Sequence, residues 1–276
     1  MTHWLLASLF LALLVVDRPA VAGPITGNYW YLGVGNDEAA SEGEDLFDAM
    51  KDFKPWKDIP NERKRIRQNA GGKQILADLK FFHDNVKNGD TFVFFYGGHS
   101  SRINDTNGDE NDGKDELIGL FGATPDFASD DDLGGDSAFG SFPTSSTSIV
   151  IFKTCLSGGF IDGTNDLARQ AIKDKKNLLF MGATGPDELC GPQHKAFLTD
   201  LVRALEDGQK DDKQTHAKEW ASIMTKYWKE RGFDLSVSDN LDTEHNRTVA
   251  NAVPEPATIL LIGIGFLCML GYRLRQ

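Results

Sequence analysis

Two stretches of this chain place reactive side chains at matching positions. In FFYGGHS, residues 94–100, an aromatic run stops at two glycines and leaves His99. In IVIFKTCLSGG, residues 149–159, an aliphatic and aromatic run stops at Cys155 and then passes into Ser157, Gly158 and Gly159. Both runs read as buried strands. A cysteine is a strong nucleophile once a neighbouring base takes its proton, and the two residues need be close only in space. Together they could attack a carbonyl, form an acyl-thioester and protonate the leaving amine. Backbone N–H groups in the small-residue turns could bind the oxyanion that develops. Each residue also has a plainer reading. A cysteine that ends a core strand packs as a small apolar side chain, and a lone histidine is usually a satisfied polar group. Their joint placement at two strand ends is what points to chemistry.

The elements around the pair alternate. YWYLGVG, 29–35, reads as a strand, EAASEGEDLFDAMKDF, 38–53, as an amphipathic helix, and GGKQILADLKFFHDNV, 71–86, as a second helix. DTFVFFYGG is the strand before His99, and 101–146 reads as a long polar loop region. TSIVIFK is the strand before Cys155. After it come a short helix in DLARQAI, a strand at 177–184, and helices in HKAFLTDLVRAL and AKEWASIMTKYW. Strands that alternate with helices need crossover connections, so the expected class is α/β with a mostly parallel sheet. Reactive residues in such sheets belong at the carboxyl ends of the strands. That is where His99 and Cys155 fall.

Three cysteines are too few for a disulfide framework, and Cys268 lies in a C-terminal apolar run. One bridge between Cys155 and Cys190 is open in an oxidising compartment, and it would silence Cys155 as a nucleophile. The formal charge of −12 argues against nucleic acid or an anionic lipid surface as partner.

Both ends read as processing segments. WLLASLFLALLVV, 4–16, followed by AVAG, 20–23, has the form of a secretory signal over 1–22 with cleavage after Ala22. At 253–276, VPEPATILLIGIGFLCMLGYRLRQ is apolar and uncharged from Ala257 to Tyr272 and then basic. Sixteen such residues are slightly short for a membrane span but could cross with flanking residues snorkelling. This end resembles the bacterial PEP-CTERM sorting tail. That resemblance implies a transmembrane segment before processing and removal by an exosortase-type enzyme. The expected address is therefore export through the inner membrane and periplasm to the cell surface or beyond. The mature domain would span 23–252.

The body has a resemblance of its own. GGH after an aromatic strand and Cys-x-Ser-Gly-Gly after the next strand resemble the caspase–metacaspase group of cysteine peptidases. YLGVG with EDLFDAM, NGDENDGKDELI at 107–118, and MGATGPDE at 181–188 are similar to further segments of that group. The resemblance implies a caspase–hemoglobinase-like three-layer sandwich around a mostly parallel sheet. It implies a cysteine endopeptidase acting on polypeptides, with Cys155 as nucleophile and His99 as acid/base. The N–H groups of Ser100 and Cys155 would form the oxyanion hole. It also implies a specificity pocket lined by Asp45 and by the residue two before the nucleophile, here Lys153. Calcium is the cofactor it implies, held by Asp115, Asp131 and Asp132 near the oxygen-rich stretch that starts at Asp105. No organic cofactor is expected.

Two positions depart from the family pattern. Ser100 stands where the family has glycine, and Lys153 stands where it has a carboxylate. The leading expectation is an exported cysteine endopeptidase with poor cleavage after Arg and Lys. The alternative is a catalytically impaired relative serving as a calcium-dependent binding or surface module.

Overall fold

The computed structural model describes residues 27–108, 110, 112–121, 124–136, 138–161, 177–191, 194–212, 214–231, 235–239 and 248–251. The expected signal segment, the DLARQAI helix and the C-terminal tail lie outside the described residues. Among those described, no helix is long and apolar enough to cross a membrane.

The chain opens with β1 (Tyr29–Gly35) and a 3-10 turn at Asp37–Ala39, and then forms helix α1 (Glu42–Met50). An edge strand β2 (Lys64–Gln68) follows, then helix α2 (Gly72–Asn85) and β3 (Thr91–Gly97). Next come three short strands, β4 (Ser100–Asn104), β5 (Lys114–Leu120) and β6 (Asp126–Ser129), and the short helix α3 (Asp130–Gly134). After β7 (Thr147–Lys153) and β8 (Asn177–Gly182) come α4 (His194–Asp212), β9 (Gln214–His216) and α5 (Ala217–Glu230). Strands β10 (Ser236–Asp239) and β11 (Thr248–Asn251) complete the order.

Six strands form the central sheet in the order β10-β8-β7-β3-β1-β2. All pairs are parallel except β10 with β8. Strands β1, β3, β7 and β8 are buried along their whole length, as parallel strands covered on both faces must be. That explains their unbroken Val, Ile and Phe runs. One face packs on α1, α4 and α5 through Leu46, Phe47, Leu201, Trp220 and Trp228. The other packs on α2 through Ile75, Leu79 and Phe82. There Phe82, Phe92 and Phe142 stack face to face at 4.8 and 5.1 Å between ring centres, in the separation range aromatic pairs favour. The result is the three-layer α/β sandwich expected.

The 101–146 region differs from the loop expected. Strands β4, β5 and β6 form a separate antiparallel sheet in that order. Acids hid the strand signal in KDELIGL, because Asp115 and Glu116 are buried there together with Leu117 and Ile118. Strand β2 was also unannounced: KRIRQ is only half-buried, on the sheet edge, and so lacks the apolar run of its neighbours.

One buried side chain ties the carboxyl edge of the sheet together. Asn36, fully buried just after β1, donates from Nδ2 to the carbonyls of Ala70 and Gly119, each at 2.9 Å. Its Oδ1 accepts from the Ala70 amide at 2.7 Å, and its own amide donates to the Gly97 carbonyl. Truncation would take from the buried Ala70 amide and carbonyl the partners that Asn36 gives them, each worth about 1–3 kcal/mol, while the Gly119 carbonyl keeps the Tyr96 hydroxyl. Asn36→Ala is therefore expected to lower the unfolding free energy by about 2–4 kcal/mol in chemical denaturation. A loss below about 1 kcal/mol would mean that water replaces the amide.

Candidate functional site

Strands β3 and β7 pair residue for residue, from Thr91 with Thr147 to Gly97 with Lys153. They therefore end at one level, and the Gly98 amide donates to the Lys153 carbonyl at 3.2 Å just beyond. His99 and Cys155 follow directly, and both line a cavity of about 320 Å³ shared with Asn36, Glu42, Lys153 and His194. His99 is exposed and Cys155 half-buried.

Local structure holds each loop. Gly98 has φ +155°, and an added Cβ would stand 3.0 Å from the Tyr96 hydroxyl, so glycine is required there. The buried Tyr96 hydroxyl donates to the His99 carbonyl at 2.8 Å and accepts from the Gly119 amide at 3.2 Å. Burial raises the Tyr96 phenol well above its ordinary value, which keeps this donor protonated. On the other loop, Leu156 adopts φ +55°, a region that costs a branched side chain about 1–3 kcal/mol. The loop is pinned on both sides of that bend. The Leu156 amide donates to the Glu188 carbonyl at 2.9 Å, and Ser157 and Thr184 exchange bonds through their amides and hydroxyls at 2.9–3.1 Å. Gly159 faces Glu116 so closely that a Cβ would stand 2.3 Å from its carboxyl carbon. At Ser100 no left-handed backbone is needed, because that conformation falls at Gly98. Its hydroxyl instead donates to the Cys155 carbonyl, so the departure from glycine ties one loop to the other.

Three expectations change. The first is the nucleophile: Cys155 is joined to Cys190 by a disulfide. The Cys190 amide also points at the Cys155 sulfur, at 3.0 Å. The second is the pocket carboxylate. Lys153 lies in the cavity wall, but its ammonium pairs with Glu42. Asp45 is exposed one turn further along α1, where it accepts from Ser41 at 2.9 Å and lines a different groove with Leu198 and Val202. Only the first turn of α1 faces the carboxyl edge of the sheet, so position 42 meets Lys153 and position 45 does not.

The third concerns the acids. Asp132 is the capping-box residue of α3: its carboxylate accepts from the Ser129 amide at 3.1 Å while the Ser129 hydroxyl accepts from the Asp132 amide. Asp131 accepts from the Asn107 amide group at 2.7 Å. The carboxylates that converge are Asp105, Glu110 and Asp115, with oxygens all within 4.8 Å of one another. Of the expected trio, only Asp115 belongs to this cluster. Nearby, burial pushes the Asp130 carboxyl up to about 7, with Asp115 and Asp131 adding to the effect.

His194 was not anticipated. It begins α4, four residues after Cys190, with its Nε2 3.4 Å from the Cys190 sulfur. The available signal was the spacing in CGPQH, which puts a histidine four residues after a cysteine.

Residues 47–164 match the family model described as metacaspase, peptidase C14 domain. That stretch of the chain is thus similar to the metacaspase-type peptidase family. Residues 252–276 match the PEP-CTERM protein-sorting motif, the mark of an exported bacterial protein recognised by an exosortase-type enzyme. The stretch similar to metacaspases contains His99, Lys153 and Cys155, whereas Glu42, Cys190 and His194 lie outside it. No curated protein matches the chain in sequence. Among solved structures, 150 chains match in fold. One is a protein from Geobacter sulfurreducens, at 14% identity with a TM-score of 0.50, covering 83% of this chain and 96% of that one. That likeness supports the architecture alone.

Burial pushes the His194 imidazole down to about 4, with the Lys153 ammonium adding to it and a hydrogen bond to the Thr154 backbone opposing it. The folded protein therefore holds His194 neutral where the unfolded chain, with its ordinary value near 6.5, takes up a proton. The stability this contributes is complete above about pH 6.5 and is lost as the pH falls toward about 4. His194→Asn should abolish that part of the slope, so the urea midpoint of the unaltered protein should fall further than the variant's between pH 7 and pH 5. Equal falls would mean that the imidazole is protonated in the native state.

Proposed function

We propose that this protein is an exported cysteine endopeptidase of the metacaspase type, active when Cys155 is a free thiol. The single observation that carries this is the placement of His99 and Cys155 at the level ends of two paired parallel strands, on one cavity. In the reduced protein the Cys155 thiol passes its proton to His99 and the sulfur attacks the carbonyl carbon of a peptide bond, the tetrahedral oxyanion being held by backbone N–H groups of the two loops. As the carbon–nitrogen bond breaks, His99 gives a proton to the leaving amine and an acyl-thioester remains on Cys155. Water, deprotonated by His99, then releases the acid product. Tyr96 and Ser100 are positioning residues: one fixes the His99 carbonyl and the other the Cys155 carbonyl.

The Glu42–Lys153 pair supports a specificity different from that of basic-selective metacaspases. A cation entering beside Lys153 meets a pocket whose carboxylate is already neutralised. Because the Glu42–Lys153 pair is net neutral, it gives an entering Arg or Lys no net attraction to offset the loss of its hydration. Neutral or acidic side chains fit this wall better than Arg or Lys.

The converging oxygens of Asp105, Glu110 and Asp115 fit a calcium ion by donor chemistry, being hard anionic ligands on a turn-rich loop and the strand after it. Bound there, the ion would neutralise the carboxylates that this small sheet gathers.

The proposal is tested with the reduced full-length protein on a peptide library. Cleavage is expected to fall at least about a thousandfold in Cys155→Ala and in His99→Ala, to be poor after Arg, and to rise after Arg about tenfold or more in Lys153→Asp. No cleavage by reduced protein would favour the impaired-relative reading, and efficient arginyl cleavage by the unaltered protein would remove the specificity argument. Calorimetry with calcium should detect binding that Asp105→Asn and Asp115→Asn each weaken at least tenfold; no heat at millimolar calcium would dismiss the ion.

A further inference from the structure

We propose that Cys155, Cys190 and His194 form a thiol–disulfide exchange site for a small-molecule thiol, and that its state decides whether Cys155 can act as a nucleophile. Only the consequence for peptide cleavage rests on the function proposed above; the exchange itself stands on the sulfur geometry. The bridge sits at the cavity mouth, where Cys190 is exposed and Cys155 half-buried, rather than inside a core. A thiol from solvent therefore meets the Cys190 sulfur first, and the sulfur it displaces is that of Cys155. The departing Cys155 thiolate receives the Cys190 N–H, 3.0 Å away, in a cavity whose wall includes the Lys153 ammonium. The N–H donor favours a thiolate leaving group, and the Lys153 charge, shared with Glu42, adds less.

The steps balance. A thiolate RS⁻ attacks the Cys190 sulfur, an R–S–S bond to Cys190 forms, the Cys155–Cys190 bond breaks, and its electron pair goes to Cys155. A second RS⁻ attacks the sulfur of R, forming RSSR and releasing the Cys190 thiolate, which takes up one proton. Closure is the reverse, with RSSR as the oxidant. His194 Nε2 lies 3.4 Å from the Cys190 sulfur, so when the bridge is open it can accept a hydrogen bond from the Cys190 thiol and hold that sulfur toward Cys155 for closure. The other titratable groups around the sulfurs are His99 after β3, Glu38 and Glu42 before and on α1, Lys153 on β7 and Lys195 on α4.

The two sulfurs stay together when the bond opens. Glu188, two residues before Cys190, accepts the Leu156 amide through its carbonyl at 2.9 Å and the Gly185 amide through its carboxylate at 3.1 Å. The first contact holds the Cys190 loop against the Cys155 loop without the bridge and the second shapes the Cys190 loop, so the two sulfurs keep a high effective concentration.

The test follows alkylation, not proteolysis. The full chain is equilibrated in reduced and oxidised glutathione at fixed ratios, quenched in acid and alkylated, and Cys155 and Cys190 are located by peptide mass. The expectation is one shared midpoint for the two cysteines, full protection of Cys155 without reductant, and full alkylation of Cys155 in Cys190→Ser under that same condition. His194→Asn should slow closure by oxidised glutathione about tenfold at pH 7, and the gap should narrow toward pH 8.5, where the Cys190 thiol ionises and no longer donates to His194. Three outcomes would overturn the proposal: equal alkylation of Cys155 in wild type and Cys190→Ser, a bridge that survives 10 mM reduced glutathione (about a cytosolic level), or a His194→Asn rate and pH profile unchanged from wild type. Exchange as expected with no peptide cleavage in the reduced state would instead remove the peptidase reading and leave this one standing.

Discussion

The residue-for-residue pairing of β3 with β7 is the constraint on which the site depends. Parallel strands that start together and end together must release their next residues at one edge. Thr91 opposite Thr147 therefore fixes Gly97 opposite Lys153, and with it the approach of the His99 and Cys155 loops. Slipping the register by one residue would turn every side chain of one strand to the other face of the sheet. Such a slip is blocked from both sides, because the two faces bury different sets: Val93, Phe95, Ile149 and Ile151 on one, Phe92, Phe94, Val150 and Phe152 on the other. Core packing thus sets the geometry of chemistry that the core never touches.

Beyond the strand ends, polar ties take over from packing. Asn36, Tyr96, Ser100, Ser157 and Thr184 each bind backbone groups rather than one another's charges. Neutral donors suit this place. A buried charge so close to the cavity would shift the titration of every group that lines it, whereas hydroxyls and amides fix loops without adding to the field. Two of the titratable groups at the cavity are balanced or suppressed: Lys153 is matched by Glu42, and His194 is held neutral by burial.

The strands that carry the site were legible because full burial writes itself as an unbroken apolar run, and glycines mark where such a run must stop. The α/β class with a mostly parallel sheet followed from the alternation of those runs with helices whose apolar spacing was regular, and the three-layer arrangement from the family resemblance. The small antiparallel sheet was not legible, since Asp115 and Glu116 are buried acids and buried acids look like loop in a hydropathy reading. Nor was the choice of Glu42 over Asp45. Both sit on the polar side of α1, and which turn of a helix reaches a strand end depends on where the helix begins, a matter of one or two residues that local pattern does not resolve.

Cys190 illustrates a different limit. Nothing within ELCGPQH says what the sulfur meets, because its partner arrives from 35 residues earlier along the chain. The pairing follows only after β7 and β8 are placed side by side, so that the loops leaving their carboxyl ends share one mouth. Composition allowed the bridge and topology assigned it. The same topology makes the bridge consequential. A disulfide elsewhere on the surface would constrain the unfolded chain and little else, whereas one at the carboxyl edge of a parallel sheet occupies the place where that architecture gathers its reactive groups. Chemistry at this edge is therefore coupled to the thiol state of its surroundings through a covalent bond, with no change of fold required.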